Sequence, residues 1–291
     1  MLDEKRSNKA EKNAASMSKF ISDNVTLRSY AEALVRHRNL IGRLVEREFR
    51  SRFQGSILGV SWAVLGPLLM VLVFTFVFGV VFRARWGVEP TAKGDFVTIF
   101  LTGMIVHGLF AEALSRAPTL ITSHSNYVKK VVFPLEILPA VTVLSAVITA
   151  LIGLSVVVVM YFSLNGKLHP TILYLPAILI PYIVLLNGFV FIICAIGVYV
   201  RDMNQIIGFI VTIALFMTPI FYPITAVPEA FRHLLYINPL TFTVEQVRVL
   251  VLFGDAPDWG GVGIYTVAAF VVLFVGFKFF QRTRDGFADV L

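Results

Sequence analysis

Six long apolar runs constrain this chain more than any other feature of its sequence. A helix needs about 20 consecutive apolar residues to cross roughly 30 Å of hydrocarbon. Hydrophobic residues make up 57% of the sequence and charged residues only 15%, so a water-soluble fold has no interior large enough to bury them. We therefore predict an all-α integral membrane protein with six transmembrane helices, at residues 57–82, 97–115, 137–164, 172–200, 206–224 and 262–280.

Basic residues flank these predicted spans unequally. With the N-terminus inside, the cytoplasmic flanks hold 13 Lys and Arg, and the outer loops hold six. Positively charged loops stay on the cytoplasmic side, so we predict that both termini are cytoplasmic. The same placement accounts for the net charge of +7 without a nucleic-acid-binding patch. Residues 1–28 are predicted to be a disordered cytoplasmic tail, residues 29–55 an amphipathic helix and residues 56–291 the transmembrane domain.

The predicted amphipathic helix has two distinct faces. At about 100° per residue, its arginines and its apolar residues separate onto opposite sides. This pattern is typical of an interfacial helix that lies along the inner leaflet with its arginines toward lipid headgroups. A solvated cytosolic helix is the alternative. The basic face comprises Arg36, Arg43, Arg47 and Arg50, and the apolar face comprises Leu34, Ile41, Val45 and Phe49.

Residues 231–254 are apolar enough to suggest a seventh span. However, Glu245 and Arg248 lie in the middle of this segment, and each would cost about 2.5–3.5 kcal/mol at the bilayer centre. Pro239 interrupts the run and suits the first turn of a new helix. We therefore predict two short helices that dip into the outer interface between spans five and six.

The sequence contains no recognisable nucleotide-binding or hydrolytic motif. It lacks G-x-x-x-x-G-K-[ST], H-E-x-x-H, C-x-x-C and G-x-S-x-G. Its five histidines have no metal-ligand spacing, and its single cysteine, Cys194, cannot form an internal disulfide. No metal or cofactor is therefore expected in this chain. If ATP drives its activity, another subunit must bind the nucleotide.

Two ionisable residues fall within the second predicted span, His107 and Glu112. Charges inside a membrane are candidates for function, and these two could take part in proton coupling. The alternative is a structural role in which Glu112, near the cytoplasmic end of the span, pairs with Arg116.

Aromatic side chains recur in the spans at helical spacing. Phe74, Phe78 and Phe82 are each four residues apart in the first span, and Phe209 and Phe216 share one face of the fifth. Sugars present apolar C–H faces that stack on aromatic rings, so these residues could line a path along which a glycan slides. Packing of the rings against lipid and against each other is the alternative.

Four stretches, in the right order along nearly the whole chain, resemble the ABC-2 type permeases of polysaccharide exporters, which carry O-antigen, capsule or teichoic acid. They are residues 47–68, which lead into the first span, residues 126–134, residues 198–205 with 218–223, and residues 237–240. The resemblance implies a homodimeric permease in the bacterial inner membrane. Two copies of a separate ATPase subunit, which holds ATP and Mg, would power the export of a lipid-linked polysaccharide.

The resemblance also implies roles for individual residues. The amphipathic helix would be a gate helix whose Arg43, Arg47 and Arg50 attract the diphosphate of the cargo. Residues 118–127 would form the coupling helix that docks in the ATPase, and spans one and five would flank a lateral gate. The expected ATPase contacts are Thr119, Leu120, Ile121, Ser123, His124, Asn126 and Tyr127, with Arg201 and Asp202 as a second contact or a local ion pair. The expected substrate path comprises Trp62, Phe74, Phe78, Phe82, Phe209, Phe216, Phe221 and Tyr222.

Three other functions remain open at this stage. The first is an ABC-2 permease for a drug or a small lipid, which would have the same architecture. The second is an ATP-independent carrier or channel, which would be active without any ATPase. The third is a membrane-bound enzyme that processes glycans, with Glu229 and Glu245 as loose candidates for an acid/base pair.

Overall fold

The computed structural model describes residues 26–82, 95–129 and 133–291. All regular structure within these ranges is helical, in agreement with the predicted all-α class. Helices are expected because, in hydrocarbon, only internal hydrogen bonds can satisfy the backbone of a spanning segment. The predicted tail lies outside the described residues except for its last three, and a helix already begins at Leu27.

The predicted amphipathic helix consists of two helices, α1 (Leu27–Arg36) and α2 (Arg38–Ser51), which meet at His37. Short 3-10 or π turns precede or extend several of the later helices. These later helices are α3 (Trp62–Phe74), α4 (Asp95–Arg116), α5 (Ser125–Lys129), α6 (Ile137–Asn165), α7 (Leu175–Tyr199), α8 (Met203–Met217), α9 (Glu229–Ile237), α10 (Pro239–Arg248), α11 (Trp259–Arg284) and α12 (Phe287–Val290).

Five helical stretches in the described part of the chain are long and apolar enough to cross a membrane. They correspond to predicted spans one, two, three, four and six. Together with the all-helical structure, they identify an integral membrane protein. The five stretches are Gly59–Val81, Phe96–Thr119, Ile137–Asn165, Pro170–Tyr199 and Trp259–Arg284.

The fifth predicted span is represented by the shorter helix α8, which has 15 residues. This helix ends at Met217 because Thr218 adopts an extended conformation with φ −99° and ψ 139°. Such a conformation is favoured for the residue before a proline, here Pro219. The predicted end of this helix at residue 224 is therefore wrong, and the count of six spans stays a prediction.

Helices α7 and α11 pack so closely that their backbones touch. A methyl group added at Gly276 would lie 2.3 Å from the carbonyl oxygen of Gly188, and one added at Gly188 would lie 2.7 Å from the backbone nitrogen of Leu273. Glycine is therefore required at both positions. This helix pair forms the centre of the core, against which α1, α4, α6, α8 and α10 pack.

Helix α1 is anchored on this pair by Tyr30. The ring centroid of Tyr30 lies 5.2 Å from that of Phe191 on α7 and 5.1 Å from that of Phe277 on α11. Its hydroxyl group donates to Oδ1 of Asn187 at 3.4 Å. Burial, and then the nearby carboxylate of Glu136, raise the pKa of Tyr30, so the phenol stays neutral.

Helices α9 and α10 lie between α8 and α11, where two short helices are predicted and observed. We call residues 229–248 the outer segment, after their predicted position. Pro239 occupies the first turn of α10, and Oδ1 of Asn238 accepts a hydrogen bond from the backbone N–H of Leu240 at 3.0 Å. An Asn cap followed by proline is a favourable way to begin a helix. A single residue, Asn238, therefore separates the two helices.

Arg248, at the end of α10, is buried in protein, with only 1% of its side chain exposed. Its guanidinium group pairs with Glu245 at 2.8 Å and donates to the carbonyl oxygens of Ile99, Pro219 and Ile220 at 3.0, 2.7 and 3.3 Å. Arg248 thus ties the outer segment to the start of α4 and to the chain that follows α8.

We expect Gly276→Ala to destabilise the protein by about 1–3 kcal/mol, because the added methyl group forces α7 and α11 apart. The control is Gly263→Ala on the same helix, where an added methyl group meets no atom within 4 Å and should stabilise the helix slightly. The measurement is the Tm of the detergent-purified protein. Equal Tm values for the two variants would contradict the close packing.

We expect Arg248→Met to destabilise the fold by about 3–5 kcal/mol, because it leaves Glu245 and three buried carbonyl groups without their donor. The control is Arg232→Met. Arg232 also donates to two carbonyl oxygens, of Val227 and Thr225, but 32% of its side chain is exposed. Yield of folded protein and Tm are the measurements, and comparable losses in both variants would refute the special role of Arg248.

Candidate functional site

Aromatic residues from three parts of the chain meet in one cluster around Phe100 of α4. The ring of Phe100 is fully buried, and its centroid lies 4.6 Å from that of Phe74, 5.3 Å from that of Phe78 and 5.3 Å from that of Phe221. Phe216 stacks on Phe221 at 5.8 Å. The predicted aromatic residues of the first span and those near the end of α8 are therefore brought together.

Phe96 and Phe100, which hold the cluster together, are absent from the predicted path. Their rings are parallel, with centroids 6.4 Å apart, and Phe96 also contacts Phe78 at 5.4 Å. The signal was available in the sequence, because the two residues are four positions apart at the start of the second span. Aromatic spacing on that helix equals the spacing of Phe74 and Phe78 on the first.

Four predicted path residues lie outside the centre of this cluster. Trp62 and Phe209 are exposed, by 41% and 71%, and neither ring contacts another ring among the described residues. Phe82 touches Phe78 at 5.8 Å but is 67% exposed. The hydroxyl group of Tyr222 donates to the carbonyl oxygen of Phe216 at 2.9 Å. In a single chain Trp62 and Phe209 are therefore separate from the cluster, whereas Phe82 and Tyr222 lie at its edge.

An apolar cavity of about 460 Å³ lies between α3, α4 and α6. Met70, Phe74 and Met104 are among its lining residues. The polar side chains in the lining are those of Glu112 and Thr149. The shape and the lining suit a hydrocarbon chain or another hydrophobic molecule.

Helix α2 presents its arginines outward, as its two-faced pattern predicts. Arg43, Arg47 and Arg50 are exposed, and Arg50 forms an ion pair with Glu46 at 2.9 Å. The apolar face packs on the start of α6, where Ile41, Leu44 and Val45 contact Ile137 and Val141. This face is therefore covered by protein rather than by lipid alone.

The predicted coupling helix is a chain of short turns between α4 and α6. It consists of the 3-10 turns Ala117–Thr119 and Thr122–His124, followed by α5. Thr119, Ser123 and Asn126 are exposed, so they remain available to a partner. We refer to residues 117–127 as the coupling segment.

Leu120 and Ile121 are predicted to contact an ATPase, but they do not lie on the surface of the coupling segment. They are 6% and 0% exposed and belong to the core of the chain. Their side chains anchor the segment from within, and their contact with an ATPase stays a prediction. The side chain of His124 is half-buried, with Nδ1 2.8 Å from the carbonyl oxygen of Leu120, while Tyr127 stacks on Phe133 at 4.4 Å.

The coupling segment rests on the C-terminal end of α7. A methyl group added at Gly197 would lie 2.2 Å from the carbonyl oxygen of Pro118, so the two backbones are in direct contact. Arg201 and Asp202 follow shortly after Gly197 and are both exposed. No ion pair joins them within the described ranges, so the predicted local pair is not formed, and both side chains are free to meet a partner.

A polar cleft of about 590 Å³ separates α2 from the coupling segment. Arg47 and Glu48 line one side, and Thr119, Ser123 and His124 line the other. Nη2 of Arg47 lies 3.5 Å from the hydroxyl oxygen of Tyr127. The structure thus brings the arginine helix and the coupling segment together on one face of the molecule.

Glu112 pairs with Arg52, not with Arg116 as the structural alternative proposed. Arg116 instead pairs with Glu48 at 2.5 Å. Burial lowers the pKa of Arg52, and the carboxylate of Glu112 opposes this shift. The sequence did contain a signal that Arg52 is buried. Arg52 lies seven residues after Val45, so it continues the apolar side of α2 and faces away from the exposed arginines.

The carboxylates considered for an enzyme lie in ion pairs with neighbouring arginines. Glu245 pairs with Arg248, and Glu229, which is 89% exposed, lies 3.7 Å from Arg232. His107 in α4 lies with Nε2 3.1 Å from the carbonyl oxygen of Val211 on α8. Within the described residues, no group of three or more His, Cys, Asp or Glu could hold a metal ion.

Several known proteins are similar in sequence to this chain over most of its length. An O-antigen export system permease protein, RfbA, of Myxococcus xanthus is 24% identical over 88% of this chain and 96% of its own length. The RfbA permease of Klebsiella pneumoniae is 22% identical over 87% of this chain and 95% of its own length. The polysialic acid transport protein KpsM of Escherichia coli is 23% identical over 82% of this chain and 91% of its own length.

A protein-family model described as ABC-2 type transporter matches residues 39–252 of this chain. The match runs from the start of α2 to the turn after α10. The matched region contains the arginine helix, the aromatic cluster, the coupling segment and the outer segment. The chain therefore belongs to the ABC-2 type transporter family.

Proposed function

We propose that this chain is the transmembrane permease of an ABC exporter that moves a lipid-linked, O-antigen-like polysaccharide across the bacterial inner membrane. Two copies would form the path, and two copies of a separate ATPase subunit would supply the energy. The observation that carries the proposal is the contact between the exposed arginine helix and the coupling segment, at Arg47 and Tyr127. In this proposal, a surface that binds an anionic cargo lies beside a surface that binds a partner.

The cargo class is supported by the relatives, whose names describe O-antigen export and polysialic acid transport and which match this chain over nearly their whole length. The arginines of α2 are exposed and lie just before the first span. Guanidinium groups bind phosphate oxygens through paired hydrogen bonds. A lipid diphosphate at the inner leaflet is therefore the anion that this face fits, and the bias of basic residues supports cytoplasmic termini.

The path itself is proposed to run past the aromatic cluster. Phe74, Phe78 and Phe221 would offer flat apolar surfaces to the sugar rings. Phe82, Phe209, Phe216, Tyr222 and Trp62 are exposed or half-buried within one chain, so a second copy is needed to enclose them. ATP binding by the partner subunits would displace the coupling segment, through Thr119, Ser123 and Asn126 and through the turn at Arg201 and Asp202.

A second candidate is the export of a drug or a small lipid by the same architecture. The specific observation in its favour is the apolar cavity of about 460 Å³ between α3, α4 and α6. Such a cavity would bind a hydrophobic molecule without the need for the exposed arginines. Loss of the exposed arginines would therefore impair export of a polysaccharide with a lipid diphosphate but not export of a drug or small lipid.

We expect this chain to purify in a two-plus-two complex with the ATPase encoded beside it, and this complex to hydrolyse ATP. The measurement is co-expression, affinity purification through a tag on the permease, and an assay of phosphate release. The control is an ATPase variant with its P-loop lysine replaced, which should assemble without hydrolysis. A permease that purifies alone, with no neighbouring ATPase bound, would overturn the proposal in favour of an ATP-independent carrier.

We expect Arg43→Ala, Arg47→Ala and Arg50→Ala combined to lower surface polysaccharide at least about tenfold, because three charge-assisted contacts to phosphate are lost. Assembly and ATP hydrolysis should persist. The matched control is Arg38→Ala, an exposed arginine on the same helix but outside the basic face. Normal surface polysaccharide in the triple variant would disprove headgroup recognition and favour the second candidate.

A further inference from the structure

Four charged side chains at the cytoplasmic ends of two helices form reciprocal ion pairs. Glu48 and Arg52 lie one turn apart at the end of α2, and Glu112 and Arg116 lie one turn apart at the end of α4. Arg52 pairs with Glu112, and Arg116 pairs with Glu48 at 2.5 Å. Each helix therefore contributes one charge of each sign. We call these four residues the clasp.

The clasp also reaches a third helix. Nη1 of Arg52 donates to Oγ1 of Thr149 at 2.7 Å, and Nη2 donates to Oγ of Ser145, both on α6. The side chains of Arg52 and Glu112 are only 14% and 22% exposed. A pair with so little contact with water is weakly screened by salt and is held in one geometry by its additional hydrogen bonds.

The position of the clasp connects two functional surfaces. Arg116 is the last residue of α4, and the coupling segment begins at the next residue, Ala117. Arg52 directly follows α2, whose basic face is exposed, and leads through a short turn into α3. The coupling segment is thus joined through Arg116 to the helix end that holds Glu48 and Arg52.

We propose that the clasp makes α2 and the cytoplasmic end of α4 move as one unit, so that a displacement of the coupling segment repositions the arginine face and the start of the first span. In this proposal the four residues are positioning residues, because they act through the placement of α2 and of the coupling segment. This proposal rests on the proposed function, which assigns the coupling segment to an ATPase partner. The contact at 3.5 Å between Arg47 and Tyr127 is longer and more exposed, and it cannot transmit force as firmly.

The first test removes one ion pair without leaving a buried charge, in the double variant Arg52→Leu with Glu112→Leu. Replacing a buried pair by apolar side chains is often neutral for folding. We expect the complex to assemble and to hydrolyse ATP, while export falls about tenfold, a common size for lost coupling between sites. The matched control is Arg28→Leu with Glu32→Leu, which removes an exposed pair of 2.8 Å from α1 and should leave export unchanged.

The second test exchanges the charges, in Arg52→Glu with Glu112→Arg. The hydroxyl groups of Ser145 and Thr149 can donate to a carboxylate as well as accept from a guanidinium group, so the exchanged pair keeps its partners. We expect this variant to recover most of the lost export. If the leucine variant fails to fold, Glu48→Gln with Arg116→Gln removes the more exposed pair and provides the same comparison.

The decisive measurement is a distance between spin labels at Asn39→Cys on α2 and Ser115→Cys on α4, both of which are exposed positions. The single native cysteine is removed by Cys194→Ala. We expect this distance to stay constant in the otherwise unmodified complex when ATP and vanadate are added, and to change in the leucine variant. If the ion pair of Arg52 and Glu112 has only a structural role, the distance between the labels will stay constant both in the unmodified complex and in the leucine variant.

Two failures are distinguishable in this design. If the unmodified complex exports polysaccharide and the assembled leucine variant exports equally well with a constant label distance, the clasp proposal is overturned alone. If the unmodified chain forms no complex with an ATPase, the proposed function is overturned instead.

Discussion

Every backbone N–H and C=O group within the hydrocarbon must find a partner in the protein, and this requirement organises the molecule. The long helices meet it internally. Where the chain leaves helical geometry after α8, the carbonyl oxygens of Pro219 and Ile220 are freed, and Arg248 donates to both. A charge that would be costly in lipid therefore satisfies the groups that the break exposes. The outer segment can consequently remain at the end of the bundle without a further span.

Paired polar groups also organise the end of the bundle that carries the coupling segment. The centre of the bundle is the glycine contact between α7 and α11, where the two backbones touch and leave no room for a larger side chain. The coupling segment rests on α7 through Gly197 and Pro118. Charged residues are concentrated around it, in the pairs of Arg52 with Glu112 and of Arg116 with Glu48. A compact core thus carries a polar end on which a partner can act.

The aromatic cluster and the arginine face show which structural features residue spacing predicts and which it does not. The periodicity of α2 predicted that Arg43, Arg47 and Arg50 would be exposed, and they are. Spacing along the first span predicted that Phe74 and Phe78 would share a face, but not that Phe100 from another helix would join them. Spacing describes one helix at a time, whereas a cluster depends on how helices are placed against each other.

The sequence by itself determined the all-α class, the approximate position of the apolar helices, the two short outer helices and the two faces of α2. These are local properties, because they follow from helical periodicity, from proline and from the free energy of placing side chains in hydrocarbon. Only the tertiary structure decided that Leu120 and Ile121 are buried, that α8 stops at Met217 and that Glu112 meets Arg52. Burial and charge pairing depend on neighbours distant in the chain, and no local pattern encodes which neighbours those are.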